Sequence, residues 1–277
     1  MKNLLPKLAL NIGLLLLAQV AQADLMLYPT RVVIEGKARA AQVELINSGT
    51  KPETYRINLV NRRMSETGEI VEAKEAQAGE QFADELVRYS PRQVTLQPGV
   101  GQTVRLQVRL PADLANGEYR SHLQFDRVAD AEGQSNLETL AKPESGQIAI
   151  VLQALVGASI PVIVRHGETN VVAMLDKLTL EAGKDNAKIL NFDIKRNGNR
   201  SVYGDFLLSY TPAGGKTVDV GKVNGVAVYV PSLLRKAKLP LTLPEGVTLK
   251  GGTLNLKFSE RPDAGGKLIA QAELAVP

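Results

Sequence analysis

Apolar and polar positions alternate with a period of two along most of the chain beyond its first two dozen residues. That is the signature of half-buried β-strands. Alternating or apolar runs occur at Leu27–Ile34, Ala41–Asn47, Thr54–Asn61, Thr103–Arg109 and Tyr119–Val128, each bounded by Gly, Pro, Asn or Asp. Their spacing predicts a β-sandwich. Ala73–Val87 is the one stretch with helical character, because Phe82, Leu86 and Tyr89 fall on one helical face; it predicts a short helix or an ordered loop. Asp126–Gln147, with Gly133, Pro143 and Gly146 among many polar residues, predicts a long loop. The longest β signal follows it, at Gln147–Arg165, and Arg165-His166-Gly167-Glu168 closes it like a hinge.

Thr169–Pro277 predicts a second sandwich. Its strands are expected near Val171–Glu181, Ala187–Lys195, Val202–Tyr210, Thr217–Val223 or Val226–Val230, Lys238–Leu243, Thr253–Ser259 and Leu268–Val276. Turns fit between them at Asn197-Gly198-Asn199, Ala213-Gly214-Gly215 and Ala264-Gly265-Gly266. Residues 1–23 are set apart. Lys2 and Lys7 precede an apolar run densest at Leu14–Leu17, and Ala21-Gln22-Ala23 has the form of a cleavage site. This is the grammar of a cleaved secretory signal, with Asp24 as the first mature residue. The run is shorter than the ~20 residues of a bilayer span, so the protein is not expected to be membrane-embedded.

Composition narrows the function. The formal charge of +4 falls to +2 once Lys2 and Lys7 are removed, which leaves no footprint for nucleic acid. There is no Cys and no Trp, so packing falls to Val, Leu, Ile and Ala, and no disulfide staples either domain. His122 and His166 are the only histidines, too few for a zinc site without cysteine. No Gly-x-Ser-x-Gly elbow is present. Thr211–Thr217 ends like a phosphate loop but lacks its first glycine and lies between two β runs, as a hairpin turn does. No enzyme activity, metal or organic cofactor is expected. Asn199-Arg200-Ser201 is a formal glycosylation sequon of little meaning in a bacterial periplasm.

On the strand after the long loop, Ile148, Ile150, Leu152, Ala154 and Val156 share one face, and Ala149, Val151, Gln153, Leu155 and Gly157 share the other. By pattern alone, both faces could be buried in the domain's own core. Three segments add a resemblance. Leu27-Tyr28-Pro29-Thr30-Arg31-Val32-Val33-Ile34 resembles the opening strand of the PapD-like pilus-assembly chaperones. Gln97-Pro98-Gly99 with Thr103-Val104-Arg105-Leu106 resembles their turn and fifth strand. Leu152-Gln153-Ala154-Leu155 and Ile160-Pro161-Val162-Ile163-Val164-Arg165 resemble their seventh strand and its exit. The resemblance covers about 24–166 in order and spacing; the second domain agrees mainly in size and class.

The resemblance implies an all-β protein of two immunoglobulin-like sandwiches set as an L around a cleft, with a signal at 1–23, a chaperone domain at 24–166 and a second domain at 167–277. It implies donor-strand complementation, in which Ile148, Ile150, Leu152, Ala154 and Val156 would fill the groove of an incomplete pilus or fimbrial subunit that is then delivered to an outer-membrane usher. It also implies two basic anchors for the subunit's C-terminal carboxylate, which fix the register of strand pairing. Arg31 matches the first. Pro161 stands where the second, a Lys, is expected, and this is a departure from the family. Arg120 stands where the family has an acid that pairs with an Arg matching Arg165, so Arg120 is the expected replacement anchor, with Arg165 free to pair with Glu118 or Glu168. An alternative register puts Glu118 at the acid position. The exposed donor strand could also self-associate. The competing reading is a structural or adhesive two-domain sandwich of the cell envelope.

Overall fold

The computed structural model describes residues 25–128, 157–183 and 187–277. The donor residues Ile148, Ile150, Leu152, Ala154 and Val156 lie outside the described residues, as do the leader and most of the long loop.

The first sandwich is built from two sheets. One has the order β1 (Leu25–Tyr28), β3 (Ala40–Asn47), β9 (Gly101–Val108), β7 (Val87–Ser90). The other has β2 (Val32–Ile34), β11 (Ala158–His166), β10 (Gly117–Arg127), β4 (Glu53–Val60), β8 (Gln93–Leu96). The chain changes sheet twice along what would otherwise be single strands, between β1 and β2 at Pro29 and between β7 and β8 at Pro91. Proline cannot donate to a ladder, so each change falls where pairing must break. With β1–β2 and β7–β8 read as split first and fourth strands, the order is that of an immunoglobulin sandwich. Alternation puts Val32, Ile34, Val43, Leu45, Val104, Leu106, Leu123 and Phe125 into one core.

The second sandwich packs β12 (Val171–Ala182), β13 (Lys188–Gly198) and β16 (Leu234–Pro240) against a sheet ordered β15 (Val218–Val228), β14 (Val202–Thr211), β17 (Thr253–Ser259), β18 (Leu268–Ala275). Its core centres on Phe192, Phe206 and Phe258; the last two rings stack at 4.3 Å. The two alternative strands expected near 217–230 are one strand, β15, which absorbs the irregular stretch with bulges against β14.

Ala73–Val87 contains no helix. Its buried residues Ala83 and Leu86 are held by a donor–acceptor pair between the Ala83 backbone N–H and Ser121 Oγ (2.9 Å) and by turns, while Tyr89 belongs to β7. Polar composition and Gly79, at φ +80°, leave a helix nothing to gain over these bonds to β10.

A short hairpin, β5 (Arg62–Met64) with β6 (Ile70–Glu72), was not legible as strands. It leaves the first sandwich and buries Met64, 5% exposed, in the core of the second, where Ile163 of β11 joins it. Ser232 Oγ donates to the Met64 carbonyl (3.3 Å) and the Lys236 N–H to the Glu66 carbonyl (2.7 Å). Gly68, at the tip with φ +85°, lies so close to Arg235 that a Cβ would meet its guanidinium at 2.5 Å. Arg63 ties the hairpin back through a two-pronged pair with Glu80 (2.5 and 2.6 Å). Met64→Ala is expected to cost about 2–5 kcal/mol and to broaden urea unfolding as the two sandwiches uncouple. Circular dichroism and fluorescence transitions that stay coincident at the wild-type midpoint would contradict this.

Candidate functional site

The site grows from the outward face of the β2–β11–β10 part of the sheet. Ile160, Val162, Val164, Tyr119, Leu123 and Phe125 point into the first core. By alternation, Pro161, Ile163, Arg165, Glu118, Arg120 and His122 point the other way. The ladder places Glu118 opposite Arg165, Arg120 opposite Ile163 and His122 opposite Pro161. Val32 pairs with Val162, which sets Arg31 beside Pro161. The second sandwich docks on this face.

Glu118 is fully buried and joins the two halves. Its Oε2 accepts from Arg165 Nε (3.0 Å), from the Ser201 N–H (3.1 Å) and from Ser201 Oγ (2.9 Å). Arg165 also donates to Glu35 (2.8 Å). Burial works against the Arg165 charge, but Glu118 and Glu35 outweigh it and raise its pKa. The acid–base pair therefore exists, with Glu118 in the acid's place; Glu168 does not pair with Arg165, and its backbone carbonyl accepts from Asn199. Of the two partners expected for Arg165, Glu118 is the one it takes.

Arg31 and Arg120 are placed differently. Arg31 lies over the Tyr203 ring (4.4 Å) and within 5.4 Å of the Tyr229 ring centre, and it donates to Tyr229 Oη (3.1 Å) and Ser201 Oγ (3.3 Å). Arg120 lies over the same Tyr229 ring (4.2 Å), only 4% exposed, and donates from Nη2 to the Arg62 carbonyl (3.0 Å). Its Nε and Nη1 have no hydrogen-bond partner. Burial lowers the Arg120 pKa, with Tyr229 and Glu118 opposing and Arg31 assisting. Among the described residues neither Arg31 nor Arg120 has a carboxylate within ion-pair distance. Aromatic faces steady a cation without neutralising it, so these guanidiniums can still receive an anion. Arg31 and Arg165 open on a cleft of about 560 Å³ whose walls include Arg200, Ser201, Tyr203 and Lys267.

The sequence named Arg31, Arg120 and Arg165, and the fold brings all three to one junction. It did not reveal Tyr203 on β14, or Ser201, Tyr229 and Glu35 just beyond the ends of β14, β15 and β2, which carry no local pattern. Among the described residues no group of three His, Asp or Glu could hold a metal ion, and no helix is long and apolar enough to cross a membrane.

No protein-family model matches the sequence, and no curated protein matches it. Solved structures similar to it include the YadV chaperone, at 14% identity and TM-score 0.45, covering 92% of this chain and all of that one. A chain of the CsuC–CsuE chaperone–tip adhesion subunit pre-assembly complex of Acinetobacter baumannii aligns at 14% identity and TM-score 0.44 over 91% of this chain and 98% of that one. A chain of the Salmonella enterica SafA pilin–SafB chaperone complex aligns at 15% identity and TM-score 0.41 over 93% and 98%. Similarity this distant carries no function across, and the two sandwiches stand on their own strand orders and cores.

Two outcomes follow from the junction. Glu118→Ala takes the buried partner from Arg165 and Ser201, leaves Arg165 only the exposed Glu35, and is expected to cost up to about 3–5 kcal/mol, read as a lowered urea midpoint; a wild-type midpoint would show that the clamp is dispensable. His122, 4% exposed, has its pKa pushed down to about 3 by burial and by Arg120, Arg62 and Arg31. The folded protein thus keeps it neutral where the unfolded chain, below about pH 6.5, takes a proton. Stability is lost as pH falls from about 6.5 towards 3, by at most ~1.4 kcal/mol per unit from this group. His122→Gln is expected to flatten that part of the stability–pH curve, and an unchanged slope would place the effect on other residues.

Proposed function

We propose that the protein is a periplasmic chaperone for pilus or fimbrial subunits. It would bind a subunit by lending it a strand and deliver it to an outer-membrane usher. The observation that carries this reading is the pair Arg31 and Arg120. Two guanidiniums sit at one inter-sandwich junction, on one tyrosine ring, with no carboxylate of the described residues within ion-pair distance, while neighbouring Arg165 has two. A buried cation left unneutralised is costly, and an incoming carboxylate relieves that cost. The C-terminal carboxylate of a bound polypeptide is such a group, and it enters end-on.

In this reading the chain is secreted with cleavage after residue 23, residues 24–166 form the subunit-binding domain and 167–277 the second domain. Arg31, half-buried at the cleft, meets the carboxylate first, and Arg120 supports it through Nε and Nη1. Arg165 serves mainly to hold Glu118 and so shapes the cleft. Ile148, Ile150, Leu152, Ala154 and Val156 lead directly into β11, so a polypeptide anchored at Arg31 would run along them. Four large aliphatic side chains buried there contribute about 6–12 kcal/mol gross, before the cost of ordering the segment.

The test is co-purification from the periplasm with a secreted pilin-like partner encoded beside this chain. Arg31→Ala and Leu152→Glu are each expected to lose the partner, by tenfold or more in recovered complex, while melting temperatures stay near wild type. Full recovery of the partner by both variants overturns the proposal.

A further inference from the structure

His122 is a buried, polar and unused group at the same junction. Its Nδ1 has no hydrogen-bond partner, and the side chain is more than nine-tenths buried. Strand register fixes where it stands. Val32 pairs with Val162 in parallel, and Pro161 pairs with His122 in antiparallel. Arg31, Pro161 and His122 therefore form one row across three adjacent strands. All three share the outward face, because Val32, Val162 and Leu123 point into the core. Arg120 is two residues along β10 on that same face.

Pro161 contributes a small ring with no donor and leaves the middle of the row without polar function. Besides Arg31, the imidazole of His122 on the next strand is the group of the row able to donate to an anion there. We infer that His122 is a third ligand of the anion held by Arg31 and Arg120, donating through Nδ1 and taking up one solvent proton as the anion binds. The inference rests on the carboxylate reading above and deepens it.

The surroundings of His122 agree. On its own strand stands Arg120; Arg62 begins the hairpin beyond β4; Arg31 precedes β2. β4 presents Val60 opposite it and β11 presents Pro161, neither of them charged. The carboxylates on the same face are already engaged, Glu118 by Arg165 and Ser201, and Asp126 by Asn58 and Gln124. Burial first, and then the three guanidiniums, keep the imidazole neutral while no anion is bound. A bound carboxylate offsets that field and gives the imidazolium an acceptor, so both changes favour the proton.

The experiment uses the mature full-length protein with imidazole nitrogens labelled for NMR. It is titrated with acetyl-trialanine bearing a free C-terminal carboxylate, and in parallel with the tripeptide amide. The free acid is expected to raise the His122 pKa, and its affinity should increase as pH falls, approaching about tenfold per unit below the bound-state pKa. His122→Gln should still bind the free acid but with a flat pH profile, and Arg31→Ala should not bind it. An unmoved His122 signal in the wild type, or a pH profile unchanged in His122→Gln, overturns the role of His122 while leaving the arginine anchor intact. Failure of the free acid to bind, or equal binding of acid and amide, overturns the carboxylate reading itself. The wild-type NMR arm decides the question even if the variants do not fold.

Discussion

The arrangement depends on one buried carboxylate. Glu118 is sealed from solvent on a central strand of the first sandwich, and its Oε2 holds both Arg165 of the neighbouring strand and Ser201 of the second sandwich. A carboxylate in that position is tolerated only because charge-assisted donors converge on it. The same bonds fix where the second sandwich meets the first. Ser201 adjoins β14, and the bonds to its N–H and hydroxyl bring Tyr203, two residues on, over Arg31. Removing the charge of Glu118 would therefore disturb two things together, the register of the lobes and the environment of the arginines beside them.

Neutralisation is unevenly shared among those arginines, and this asymmetry is the chemical content of the site. Arg165 is satisfied by Glu118 and Glu35. Arg31 and Arg120 are held by tyrosine faces, two hydroxyls and a backbone carbonyl. Ring quadrupoles position a guanidinium yet leave its charge available, whereas a carboxylate of the protein's own would quench it. Tyr229 orients both cations at once. The hairpin that carries Arg62 also supplies the carbonyl that Arg120 uses and plants Met64 in the second core. Packing and electrostatics at the junction are thus one structure, since Ile163 of the hydrophobic seat it shares with Met64 stands opposite Arg120 in the β10–β11 ladder.

β11 is paired with β10 over Ala158–His166 and with β2 over Val162–Val164. Its second half is therefore internal to the sheet, and its first half, held by β10, joins it to the apolar alternation that precedes it in the chain. Arg31 and His122 flank β11 at Pro161. In the reading proposed above, an anion fixed there would set the register of a polypeptide running along the upstream segment, since a slip of one residue exchanges the two faces.

The all-β class and most strands were legible from alternation alone, because period-two patterning is a local property written wherever one face of a strand meets a core. Phe192, Phe206 and Phe258 could be assigned to strands in the same way. The β5–β6 hairpin was not legible: three-residue strands rich in Arg have no pattern, and their stability comes from a second sandwich distant in sequence. Ala73–Val87 left two readings open and the ordered loop is the one realised, since its apolar spacing also fits a helix but its bonds go to β10. Arg31, Arg120 and Arg165 could be singled out as residues, yet which of them is neutralised depends on Glu35, Glu118, Tyr203 and Tyr229, brought in by four different segments. Sequence determined the strands and the supply of charge. Only the tertiary structure decided which charges are paired, because pairing is set by distances between segments that no local pattern records.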